Sequence, residues 1–133
     1  MKIERFEDIE SWKRARELTS RIYDLTAKGS FAKDFGLRDQ IQRASVSIMA
    51  NIAEGFDSGS KKSFILFLNY AYRSTSEVQS LLYVIVDCRY ITQEEFDELF
   101  IAAKDIKNLI GGFIQYLSKS NKHTKHNELS TKH

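Results

Sequence analysis

Six basic residues fall where they could meet phosphates. Lys13, Arg14, Arg16 and Arg21 lie on the outward side of a first helix, and Arg38 and Arg43 lie on the next. Cationic groups spaced along a helix face suit a sugar–phosphate backbone, bound in a salt-sensitive and sequence-tolerant way. Glu17 and Asp24 interrupt the first stripe, so a plain solvated face fits the same residues. A second set, Asp39, Asn51, Glu54, Arg73 and Glu77, is polar within otherwise apolar helices. If the hairpin over residues 43–77 turns near 57–58, Arg38 falls opposite Glu77, Asp39 near Arg73, and Glu54 beside Lys61 and Lys62. The expectation is a set of charge pairs, most of them partly buried, that fix register. On that expectation Glu77→Ala lowers stability or disturbs assembly. Asn51 sits in the middle of an apolar face, and a buried amide needs partners. It is expected to bond across to another helix or to lie in an oligomer seam.

Constellations for catalysis are missing. The three histidines, His123, His126 and His133, all fall in the last eleven residues, so the body has no imidazole for general-base or metal work. There is no pair of Glu-x-x-His motifs of the kind that builds a di-iron bundle, and no phosphate-cradling glycine loop. Cys88 has no histidine near it in sequence and is expected to pack rather than react. A non-enzyme without metal or cofactor is expected.

The elements that position these residues are four amphipathic helices. Ile9, Trp12, Ala15, Leu18, Ile22 and Leu25 recur at three- and four-residue steps and predict a helix from about Asp8 to Lys28, stopped by Gly29. Leu37, Ile41, Ala44, Ile48 and Ile52 predict a second from about Asp34 to Gly55, with Val46, Met49 and Ala53 as a side stripe. The third, about Ser60 to Tyr90, carries Phe64, Phe67, Leu68, Ala71, Val78, Leu81, Leu82 and Ile85, with Ile65, Leu66, Tyr83, Val84 and Val86 to spare. The fourth opens on Thr92 and Glu95 at capping-box spacing. Phe96, Leu99, Ala103, Ile106, Ile110, Phe113 and Leu117 follow as a bundle seam. Gly111-Gly112 inside it signals close backbone contact or a bend. The pattern is all-α, an antiparallel up-down-up-down four-helix bundle over residues 1–117. A basic tail, 118–133, is expected to be disordered.

The totals agree with one domain. The 133 residues include nine Phe and six Tyr, enough for a packed interior, and no Pro, which suits long helices. Four lysines against Glu128 give residues 118–133 a net charge of +3, out of +2 for the whole chain. The body is therefore close to neutral and shows no overall excess of the kind that marks a nucleic-acid binder. A single cysteine, no apolar leader and no membrane-length apolar run point to a cytoplasmic protein. No charge occurs between Arg43 and Glu54, and Asn69 is the one strongly polar residue from Phe64 to Tyr72. A monomer's surface helices keep a polar face. These two segments are expected to be covered by other copies of the chain.

ESWKRARELTSRIYDLT, FGLRDQIQRASVSIMANIAEG, SKKSFILFLNYAYRSTSEV and ITQEEF together resemble the four-helix bundle protein family encoded in intervening sequences of bacterial large ribosomal RNA genes. That family is related to the accessory variability determinant of diversity-generating retroelements. The resemblance spans about residues 3–117, most specifically the NIAEG segment and Arg73-Ser74-Thr75-Ser76-Glu77. Met49 stands where the family often has a proline after the Ser-Ile pair. The resemblance implies a ring-like homopentamer and a role in binding RNA or other nucleic acid, and the expected function is a non-enzymatic oligomeric bundle that binds nucleic acid or a ribonucleoprotein partner. The alternative is a protein-interaction or assembly subunit with no nucleic-acid role.

Overall fold

The first core side chain, Ile9, is delivered by a hook. The Asp8 carboxylate accepts the backbone N–H groups of Glu4 and Arg5 at 3.0 and 3.2 Å, winding Phe6–Asp8 into a 3-10 turn. These hydrogen bonds hold the Asp8 carboxyl below its ordinary pKa. The computed structural model describes residues 2–123. It contains α1 (Glu10–Thr26), α2 (Phe35–Asp57), α3 (Lys61–Asp87) and α4 (Gln93–His123).

Each helix boundary has a local cause. Gly29, at φ +54°, starts a 3-10 turn over Gly29–Lys33 within the α1–α2 connection. The Asp34 carboxylate caps α2 by accepting the Leu37 N–H at 3.3 Å. Ser60 caps α3 by accepting the Ser63 N–H at 3.1 Å, after a turn whose Gly59 lies at φ +88°. Arg89, at φ 63°, reverses the chain after α3. Thr92 and Glu95 then close a reciprocal capping box at 2.9 and 3.0 Å.

Two expected boundaries are corrected. Gly55 does not end α2; it is buried inside the helix, two residues before its end. A Cβ there would stand 2.8 Å from Phe67 Cβ and 3.0 Å from Phe64 Cδ1, so its absence lets α3 come close. At the other end, α4 continues to His123, six residues past Leu117. Residues 124–133, with the rest of the expected tail, lie outside the described residues.

The helices pack α1 on α2, α2 on α3, α3 on α4, and α4 back on α1, an antiparallel up-down-up-down bundle. Most of the periodic set read above is buried, while Trp12, Leu25, Leu37, Phe64 and Phe67 are only partly so, and Phe31 and Ile91 join the core from the connections. The helices contribute Ile9, Ala15, Leu18 and Ile22; Ile41, Ala44, Ile48 and Ile52; Leu68, Ala71, Val78, Leu81, Leu82 and Ile85; and the whole α4 seam from Phe96 to Leu117. Gly111-Gly112 does not interrupt α4, and Gly111 lies against the Tyr72 ring. Among the described residues, no helix is long and apolar enough to cross a membrane.

Candidate functional site

The basic side chains of α1 point outward, and three of the four are engaged. Arg14 Nε donates to Glu10 Oε2 at 3.0 Å, and Arg21 Nη2 donates to Glu98 Oε1 of α4 at 3.0 Å. Arg16 lies over the Trp12 ring at 5.9 Å. Lys13 is exposed, and among the described residues its side chain has no hydrogen-bonded or ion-paired partner, though its charge acts on Asp8. Between α1 and α4 runs a groove of about 460 Å³, lined by Lys13, Arg14 and Arg21 together with Glu10, Glu17 and Asp105. Opposite charges thus alternate along this wall.

The two basic residues of α2 part company. Arg38 donates to Asp39 Oδ1 at 2.9 Å and to the Ala32 carbonyl at 3.0 Å, and its guanidinium stacks on Phe35 at 4.8 Å. Arg43 is exposed and has no such partner among the described residues. The structure therefore does not gather the six candidates into one patch.

The polar set is arranged differently from expectation. Among the described residues, no ion pair joins Arg38 to Glu77, Asp39 to Arg73, or Glu54 to Lys61 or Lys62. The cause is register. The turn occupies residues 58–60, later than 57–58, and this slides α3 along α2. Glu77 consequently meets Gln40, whose Nε2 lies 3.4 Å from Glu77 Oε2. Arg73 stacks on Tyr70 at 5.6 Å, in its own helix. Glu54, Arg73 and Glu77 are exposed rather than partly buried. Lys61 Nζ is enclosed without a hydrogen-bond partner. Asn51 does not bond across to another helix. Its amide donates within α2, to the Ser47 carbonyl and hydroxyl, both at 2.9 Å. The link across to α3 is made by Ser47 itself, which accepts from the Ser74 hydroxyl at 2.9 Å.

What the structure does gather is apolar surface. Arg43, Val46, Ala50, Ala53 and Asp57 follow one another at three- and four-residue steps along the outside of α2. Leu66, Tyr70, Arg73 and Glu77 do the same on α3, on the side that borders α2 through the Gln40–Glu77 contact. Val46, Leu66 and Tyr70 are 39%, 49% and 38% exposed, and Ala50 and Ala53 are half-buried beside them. Charges close this belt: Arg43 of α2 with Arg73 and Glu77 of α3 toward one end, Glu54 and Asp57 at the other. One feature was not anticipated from the sequence: Lys107 Nζ stands 5.2 Å above the Tyr72 ring, on the α3–α4 side of the bundle.

Among the described residues, no cluster of three His, Cys, Asp or Glu side chains could hold a metal ion. Cys88 is exposed rather than packed.

A family model described as 23S rRNA-intervening sequence protein matches residues 7–112. The chain is also similar to a protein of unknown function from Bacteroides thetaiotaomicron VPI-5482, assigned to the S23 ribosomal protein family and solved by crystallography. The two are 27% identical over 79% of this chain and 95% of that one, with a TM-score of 0.73. No curated protein matches the chain.

Proposed function

The chain belongs to the 23S rRNA-intervening sequence protein family, and from that premise we propose that it is a non-enzymatic bundle that assembles with copies of itself and binds RNA or a ribonucleoprotein. The observation that carries this reading is the belt of Val46, Ala50, Ala53, Leu66 and Tyr70 on the outside of α2 and α3. A contiguous apolar surface rimmed by charge marks an interaction site. A second copy fits it because the small residues on α2 allow close helix approach while Leu66 and Tyr70 supply projecting side chains. Five copies is the number the family resemblance implies.

RNA as the ligand draws support from how weakly the basic residues are held. The Arg14–Glu10 and Arg21–Glu98 pairs have side chains 44–56% exposed. Pairs of this kind contribute about 0–1 kcal/mol, so a phosphate can displace the carboxylate. Lys13 and Arg43 need no displacement. The second reading is an assembly subunit without nucleic acid, and the alternation of charge along the α1–α4 groove favours it.

Two measurements separate these readings. Solution mass across a dilution series tests assembly: a multiple of 15.4 kDa is expected, and a steady 15.4 kDa species at high concentration overturns it. Affinity for structured and unstructured RNA across a salt series tests the ligand. Binding that weakens as salt rises is expected; no binding at low salt leaves the assembly-only reading.

A further inference from the structure

We propose that the outer seam between α3 and α4 is a binding face for single-stranded RNA, with the Tyr83 and Phe100 rings as the stacking platform and Lys104 and Lys107 as the phosphate partners. The proposal rests on the RNA-binding reading above and locates its site on a different face from the α1 stripe.

Charge distribution is the first reason. Between Lys61 and Val86 the one acid of α3 is Glu77, and it faces α2, where Gln40 meets it. Between Leu99 and Lys119 the one acid of α4 is Asp105, and it lines the groove toward α1. Both carboxylates therefore point away from the α3–α4 seam. Lys104 and Lys107 remain on it, one turn apart. Lys107 is placed there by its contact with Tyr72 of α3 at 5.2 Å. Lys104 is exposed and lies at i+4 from Phe100 and i−3 from Lys107, hence on the same face. From Tyr72 to Tyr83 on α3 and from Phe100 to Gly111 on α4, the seam thus carries two lysines and no acid; Asp87, four residues after Tyr83, and Asp97, three before Phe100, lie beyond the rings at its end.

Aromatic placement is the second reason. Tyr83 of α3 meets Phe96 and Phe100 of α4, with ring centroids 5.1 and 5.6 Å apart. Phe96 is in the core, so it anchors the cluster from below. Tyr83 stays 54% exposed despite both contacts. A large ring held on a rigid helix by two neighbours, yet open to solvent, is a preorganised stacking surface. Tyr72, three helical turns and roughly 16 Å from Tyr83, adds a second ring on the same seam.

The combination selects the strand state of the ligand. Bases in an A-form duplex are stacked on one another and offer no free face to a tyrosine. Bases in an unpaired segment do, and rings interleaved with lysines bind them with little regard to sequence.

The test uses a short unstructured oligoribonucleotide and a duplex of the same length, titrated into the full chain by fluorescence anisotropy. The single strand is expected to bind more tightly. Tyr83→Ala should weaken it about tenfold at fixed salt while leaving the salt slope unchanged, and Tyr83→Phe should restore it. Lys104→Glu should weaken binding and flatten the salt slope by about one unit or slightly less. Helicity and solution mass of each variant guard against misfolding. Three outcomes overturn the proposal: a duplex preference; loss of binding in Lys13→Glu and Arg43→Glu but not in the seam variants; or a seam variant that changes solution mass and not affinity, which assigns the seam to a second copy. Loss confined to Lys13→Glu and Arg43→Glu leaves RNA binding intact, whereas a wild-type chain that binds neither RNA removes both readings.

Discussion

The Asp34 carboxylate joins both loops at one end of the bundle. One oxygen caps α2 through the Leu37 N–H, and the other accepts the Tyr90 hydroxyl at 2.9 Å, from the turn that links α3 to α4. The Tyr90 ring also stacks on Phe31 at 4.9 Å. Donation to a carboxylate raises the Tyr90 pKa above its ordinary value. A raised pKa means the contribution is complete below the unfolded tyrosine pKa and is lost as pH rises through the folded one. Tyr90→Phe should therefore lower the unfolding midpoint at neutral pH, with the gap to wild type closing in strongly alkaline buffer. A gap that stays constant across that range means the hydroxyl is not the cause. Asp34→Ala should cost more at neutral pH, because a lost cap alone costs about 0.5–2 kcal/mol.

Two glycines in the middle of helices separate backbone freedom from steric need at the scale of the element. At Gly112 a Cβ would meet nothing within 4 Å, so Gly112→Ala should stabilise the protein by about 1 kcal/mol through helix propensity alone. At Gly55 the same substitution drives a methyl into Phe67 and Phe64. Overpacking there costs about 1–3 kcal/mol, and the propensity gain offsets only part of it. Denaturant midpoints of the two variants should move in opposite directions with the slope m unchanged. Equal shifts in one direction mean the α2–α3 approach is not tight. Gly55 also shows where reading from sequence fails. In one dimension a glycine before Phe-Asp-Ser-Gly-Ser reads as a helix stop, because close approach by a second helix leaves no local mark. The core was legible since burial repeats at the helical period, as it does from Phe96 to Leu117 in α4. Cross-helix partners were not, because they depend on the turn: moving it slightly later takes Glu77 from Arg38 to Gln40. The basic candidates were legible as residues but not as a site, since whether Arg21 meets Glu98 depends on α4, far along the chain. Glu77→Ala is accordingly expected to change stability by less than about 0.5 kcal/mol, as for other exposed sites.

For the whole molecule the question is what covers the α2–α3 belt. A stable interface buries about 1,200–2,000 Å² in total, more than the belt side chains can supply unless the helices bearing them also come into contact. Small side chains at Ala50 and Ala53 permit that approach, and Arg43 at one end with Glu54 and Asp57 at the other can pair across it. Ala50 is half-buried on the outer side of α2 and belongs to no core layer, so Ala50→Arg leaves the single bundle intact. In an assembly it places a charge and a long side chain where a neighbouring helix must lie. Such a charge, desolvated without a partner, costs several kcal/mol, enough to dissociate a moderate interface. Ala50→Arg should therefore fall to 15.4 kDa at concentrations where the wild type remains assembled, with unchanged helicity. The unfolding temperature of the wild type should also rise with protein concentration, and that of the variant should not. If Ala50→Arg keeps the wild-type mass, the copies meet through another face and the belt is not the interface.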